Sequence, residues 1–216
     1  MILTQDEFLQ KFSAGNLKIA FVGMSNIGKS FRSKQLGKIK NFRVFSVDDA
    51  IEKKLGLSSM KEMAQWMGYP YEKKYKAAEK KYLAIEDDIT RTVFPAGNFI
   101  LDTTGSVIYT SPHTMDFLKK NYLIVELRCP TYLIDRMIES FFKTPKPVVW
   151  EKIYRKKPGE TEKQALKRCY PLLLEDRNKR YAALADIHID GKLSREYGIS
   201  PQKFWDILLS TLPEKK

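Results

Sequence analysis

Short apolar runs alternate with longer amphipathic ones along this chain. That is the pattern of an α/β protein built on a mainly parallel sheet. Five runs read as strands, at residues 18–23, 42–47, 98–102, 122–128 and 186–190. Each is short and rich in Val, Ile, Leu or Phe. The run Ile19-Ala20-Phe21-Val22 is apolar at every position, which suits a strand covered on both faces.

The segments between the strands carry helix start signals. Thr4-Gln5-Asp6-Glu7 and Ser59-Met60-Lys61-Glu62 fit capping boxes, in which a hydroxyl and a carboxylate satisfy each other's free amides. Ser111-Pro112 and Ser200-Pro201 place an N-cap before a proline at the first helical position. The longest helix is expected over 71–92 and a second over 160–185, with Pro171 kinking or interrupting the latter. The least regular stretch is 142–159, which holds Lys143, Pro145, Lys146, Pro147, Arg155, Lys156, Lys157 and Pro158. It reads either as a mobile, basic lid or as a solvated surface loop.

A chain of 216 residues, 43% hydrophobic and 30% charged, is expected to form one soluble domain. No apolar run approaches the roughly 18 residues that cross a bilayer, and the N-terminus lacks the form of a secretory signal. Cys129 and Cys169 form no metal-ligand cluster and read as reduced thiols of a cytoplasmic protein. The net charge of +12 admits a nucleic-acid partner or a pocket for a polyanion within a lysine-rich surface. The lysine pairs, from Lys53-Lys54 to Lys215-Lys216, are scattered, as on solvated faces. A nucleic-acid partner is therefore the less favoured reading.

Gly23-Met24-Ser25-Asn26-Ile27-Gly28-Lys29-Ser30 matches the phosphate-loop pattern G-x-x-x-x-G-K-[ST] in full. An apolar strand precedes it, and a helix-compatible run that includes Phe31 follows it. Glycines let the backbone curl so that its N–H groups point at phosphate oxygens, and the helix adds the positive end of its dipole. Gly23, Ser25, Asn26, Ile27, Gly28, Lys29, Ser30 and Phe31 are thus candidates to bind ATP. Lys29 is expected to reach the β- and γ-phosphates, and Ser30 to ligate Mg²⁺.

Four further segments stand out. They are Ser46-Val47-Asp48-Asp49-Ala50-Ile51-Glu52, the run from Gly68 to Glu79, Ile100-Leu101-Asp102-Thr103-Thr104-Gly105, and the run from Asp176 to Asp186. With the P-loop they resemble shikimate kinase and its relatives in the nucleoside-monophosphate-kinase-like group, over roughly residues 18–190. The first is similar to the family's D-x-D-x-x-I-E. It puts Asp48 on the aspartate that binds substrate hydroxyls, and Ser46 where the metal-supporting aspartate stands. The second is similar to G-E-x-x-F-R-x-x-E, with Lys76 in place of a substrate-binding arginine. The third occupies the strand end that carries three glycines, of which Gly105 remains and Thr103 and Thr104 replace the others. The fourth fits R-x-x-x-Y-x-x-x-A-D and puts Arg177 on the second substrate-binding arginine. Cys169-Tyr170-Pro171-Leu172-Leu173 is similar to the lid motif R-P-L-L with tyrosine for arginine. Arg168 and Arg155 are the candidates to replace that arginine.

The resemblance implies a five-stranded sheet of order 2-3-1-4-5, a closing lid, ATP with Mg²⁺, and Arg136 lying over the adenine. Lysine does not reproduce the bidentate grip of arginine on a carboxylate, so the substrate is expected to differ from shikimate.

Read as residues alone, Asp48 follows a strand and suits the positioning of a hydroxyl and acceptance of its proton. Its other reading is an N-cap for the helix from Asp49. Asp102 ends a strand where an aspartate near Mg²⁺ stands, or caps a turn. His113 and His188 read as structural or exposed. Lys73, Lys76 and Lys80 near Tyr75 and Tyr82 read as a nucleic-acid face or as solvated lysines over core tyrosines. The favoured function is ATP-dependent phosphorylation of a small hydroxylated, anionic substrate. Asp48, Lys76, Gly105 and Arg177 lie on the substrate side, Lys29 and Asp48 are catalytic, and Ser30 and Asp102 hold the metal. A non-catalytic nucleotide-binding module and an NTP-dependent nucleic-acid-associated protein are the alternatives.

Overall fold

Five short strands are covered on both faces by helices. In a computed structural model, which describes residues 2–143, 146–195 and 198–214, they are β1 (Lys18–Val22), β2 (Arg43–Ser46), β3 (Phe99–Asp102), β4 (Leu123–Arg128) and β5 (Ile187–Asp190). Each falls inside the apolar run that foretold it. All neighbours pair in parallel, in the order β2-β3-β1-β4-β5. Ile19, Ala20, Phe21 and Val22 are wholly buried, as a central strand requires. Pro145 and the Lys215-Lys216 pair lie outside the described residues.

The helices are α1 (Gln5–Ser13), α2 (Lys29–Lys40), α3 (Val47–Leu55), α4 (Met60–Met67), α5 (Tyr75–Thr92), α6 (Pro112–Asn121), α7 (Thr131–Lys143), α8 (Glu162–Leu184), α9 (Gly191–Arg195) and α10 (Pro201–Ser210). The capping box at Thr4 is complete. At Ser59 only half of it forms: Ser59 caps the Glu62 amide, but the Glu62 carboxylate turns to the amide and hydroxyl of Ser58. Ser111 and Ser200 cap α6 and α10 as expected.

Two expectations are corrected, and the structural reading of His188 is borne out. α5 starts at Tyr75 rather than Tyr71, because Gly68 has φ +75° and Glu72 folds back to accept from the Tyr69 amide, closing a turn ahead of the helix. α8 runs through Pro171 as one helix, its inner face anchored by buried Leu166, Cys169, Leu173 and Leu174. His188 has a partner: its Nδ1 lies 2.6 Å from the buried Glu126 carboxylate across the β4–β5 pair.

The irregular stretch after α7 has a seated centre. Val148, Val149 and Trp150 are buried. The Glu79 carboxylate accepts from the Trp150 and Glu151 amides at 2.7 and 3.0 Å, and the Tyr75 hydroxyl donates to the Val148 carbonyl. Tyr75 and Tyr82 are themselves buried, so neither offers a stacking face. Among the described residues, no helix is long and apolar enough to cross a membrane.

Candidate active site

The carboxyl ends of β1 and β3 meet where the strand order reverses, the crevice in which open parallel sheets bind ligands. The loop leaving β1 fills it. Gly23 has φ +141°, and a Cβ there would stand 2.6 Å from the Leu127 carbonyl oxygen. Gly28 has φ +108° and would meet the Ser194 carbonyl at 2.9 Å. Both positions demand glycine. Gly28 is also the N-cap of α2 and brings no side-chain cap, so the first amides of α2 remain open to an anion.

Lys29 is the first residue of α2 and is 6% exposed. Its Nζ donates to the carbonyls of Gly23 and Met24 at 2.8 and 3.0 Å, so the ammonium lies inside the loop that would cradle phosphates. Burial lowers its pKa, while Asp102 and Asp48 act to raise it.

Asp102 ends β3, is 4% exposed, and its Oδ1 has no hydrogen-bond partner among the described residues. Burial raises its pKa, against the Lys29 charge and a hydrogen bond with Ser30. An orphaned carboxylate oxygen beside the P-loop serine fits Mg²⁺, which is commonly held by one or two carboxylates together with phosphates.

Asp48 lies in the first turn of α3. The N-cap is Ser46, whose Oγ accepts from the Asp49 amide at 3.2 Å. The capping alternative for Asp48 is thereby removed, and its side chain lines the cavity below the P-loop. Burial pushes it up to about 6, with Lys29 opposing and Asp102 adding to the rise.

Ser25, Asn26, Gly28, Lys29, Ser30, Phe31, Asp48, Gly105 and Arg177 line this one cavity of about 400 Å³. Arg177, on the buried face of α8, donates to the Val149 carbonyl at 2.9 Å and lies 5.5 Å from the Tyr109 ring centre. Its Nε has no hydrogen-bond partner among the described residues. The Gly105 carbonyl accepts from the Tyr181 hydroxyl. Ile27 is buried behind the loop. Arg136 lines a second cavity, on the far side of Asn26, with Tyr132, Met137 and Lys192. Lys76 is exposed on α5, outside both linings. Arg168 is bound by the Glu160 carboxylate at 2.6 and 2.7 Å. Arg155 is exposed, and neither of these two arginines lines the cavity.

The cavity also holds residues that sequence reasoning missed. Lys146 donates to Asn26 Oδ1 at 2.5 Å and lines the phosphate cavity with Pro147 and Val149. Thr103 and Thr104 turn their hydroxyls away from it, to the Phe21 carbonyl and the buried Glu86 carboxylate. Ser106 also donates to Glu86, at 2.6 Å, and lines the cavity beside Tyr82. Glu86 was signalled in the sequence as a carboxylate on the stripe of Tyr75, Tyr82 and Ile89, the core face of α5. Burial pushes it up to about 7, against its bonds from Ser106 and Thr104.

A search of curated proteins finds no match. Among solved structures, shikimate kinase from Acinetobacter baumannii in complex with shikimate superposes with a TM-score of 0.59 at 18% identity, over 92% of this chain and 97% of that one. Shikimate kinase from Aquifex aeolicus gives 0.53 at 20% identity, over 90% and 95%. At such identities these matches speak to the fold. The shikimate kinase family model matches residues 25–204. That match takes in the P-loop from Ser25 onward, Asp48, Gly105 and Arg177, and the chain belongs to the shikimate kinase family.

Proposed function

We propose that the protein transfers the γ-phosphoryl group of ATP to a hydroxyl of a small, anionic substrate. Family membership supports an ATP-dependent kinase of small molecules that uses Mg²⁺. The observation that carries the finer reading is the convergence of Lys29, Asp48 and Arg177, from three separate helices, on one cavity.

The acceptor hydroxyl oxygen forms a bond to the γ-phosphorus, the bond to the β,γ-bridging oxygen breaks, ADP departs, and the hydroxyl proton passes to Asp48. Lys29 exchanges its Gly23 and Met24 carbonyls for phosphate oxygens. Lys146, held at the rim by Asn26, adds a second cation beside the transferred group. Mg²⁺, when held by Ser30 and Asp102, neutralises charge on the phosphates. Arg177 provides the anion grip, and Arg136 covers the base. With Lys76 outside the cavity, the grip rests on a single arginine, so a substrate other than shikimate is expected.

The test is ADP release from ATP and Mg²⁺ in the presence of small hydroxy acids, sugars and nucleosides. A stimulated rate that is lost in Lys29→Ala supports the proposal. Failure of every acceptor to raise ADP release above the rate with water alone overturns it.

A further inference from the structure

The part of the cavity wall formed by Ser106 has an unusual balance of donors and acceptors. Glu86 is wholly buried on α5. The hydroxyls of Thr104 and Ser106 donate to its two carboxylate oxygens, and the Ser106 amide donates to Thr104 Oγ1 at 2.9 Å. A hydroxyl has one proton to give. While Glu86 is ionised and takes that proton, Ser106 Oγ offers the cavity only lone pairs. Asp48, the carboxylate lining the same cavity, likewise only accepts when ionised.

Each cation of the cavity already has protein partners, although Arg177 acts on Glu86 and Lys29 on Asp48. Lys29 lies within the P-loop, Lys146 is bonded to Asn26, and Arg177 is bonded to Val149. Asp48 lines the acceptor space and Glu86 lies behind Ser106; burial raises the pKa of both, and the Asp48 charge adds to the rise of Glu86. A group that suits this wall gives several hydrogen bonds and carries positive charge.

Resting on the kinase reading above, we infer that the acceptor is a small zwitterionic alcohol. Its protonated amine lies against Asp48 and Ser106, its anionic group on Arg177, and its hydroxyl toward the γ-phosphate. An ammonium brings three donors and a charge that offsets the two carboxylates, whereas a hydroxyl in its place brings one donor and no charge. The amine takes no part in the transfer; the hydroxyl alone gains the phosphoryl group.

The experiment compares matched acceptors that differ only in an ammonium exchanged for a hydroxyl: L-serine with glycerate, and L-homoserine with 2,4-dihydroxybutyrate. ADP release is followed in wild type, Glu86→Gln and Ser106→Ala. The expected result is a kcat/KM preference for the amine of each pair of about tenfold or more. That ratio should fall toward one in both variants. Ser106→Ala retains the buried carboxylate, so it reads the wall even where Glu86→Gln folds poorly. If the amine-free partner of each pair is the better acceptor, or the ratio is unchanged in both variants, the inference falls and the kinase reading stands. If no alcohol of either kind, nor any sugar or nucleoside, raises ADP release, both fall.

Discussion

Arg177 donates to the carbonyl of Val149 at 2.9 Å, so the cation that lines the cavity also braces the strap carrying Lys146. Lysine at this position keeps the charge but loses the planar fork. Arg177→Lys is expected to raise the acceptor KM about 10- to 100-fold, the scale of losing a charge-assisted contact. The ATP KM should move much less. Steady-state kinetics with each substrate varied in turn measure both.

In the proposed transfer, Lys29 sits where charge accumulates. Lys29→Met is expected to lower kcat about a hundredfold to a thousandfold, as for removal of a preorganised donor. Calorimetric titration with ATP separates this loss from weakened binding.

Asp102 supplies a buried oxygen that has no hydrogen-bond partner among the described residues. Asp102→Asn removes its charge while preserving its shape. The Mg²⁺ concentration for half-maximal ADP formation should rise about tenfold, read from a Mg²⁺ titration at fixed ATP. An unchanged titration would remove Asp102 from the metal site.

The strands and the P-loop were legible from the chain, because strand periodicity and the glycine pattern are local signals, whereas the strand order came from the resemblance to the shikimate kinase family. The acceptor wall was not legible. Lys76 was aligned to a family motif, yet helical geometry puts it one step round from the buried Tyr75 and out into solvent. Thr103 and Thr104 stand where the family motif has glycines, and their hydroxyls point into the protein. Lys146 reaches Asn26 across 120 positions of sequence, and no local pattern encodes such a contact. Glu86 alone left a trace, as a charge on an apolar stripe.

The pH dependence follows from Asp48 and Glu86. Asp48 must be ionised to receive a proton, and it sits at about 6. Acceptor-dependent kcat/KM should therefore climb as pH rises through about 6 and level off above it. Stability runs the other way for Glu86, raised from 4.5 to about 7. Between those values the folded chain holds a proton that the unfolded chain has released, so this residue lowers stability as pH rises across the window. Glu86→Gln should remove that slope and gain about 1–3 kcal/mol above pH about 7. Urea unfolding of both proteins across the window measures the difference.

Arg32, wholly buried on α2, donates to the carbonyls of Leu193, Ser194 and Ile199 at 2.8, 2.9 and 3.0 Å. Arg32→Met leaves these acceptors unpaired. It should cost about 2–4 kcal/mol of stability and raise the ATP KM, measured by urea unfolding and by kinetics at saturating acceptor.

The same clamp bears on how the chain divides. Ser194 also donates to the Ile27 carbonyl and closes over Gly28. A chain cut after Asp190 would keep every strand of the sheet and every P-loop residue. It would still lose the wall against which the loop is shaped. The proposed nucleotide site is thus not a portable cassette of strand, loop and helix: Leu193, Ser194 and Ile199, far along the chain, have to be synthesised and folded back before the P-loop takes its shape.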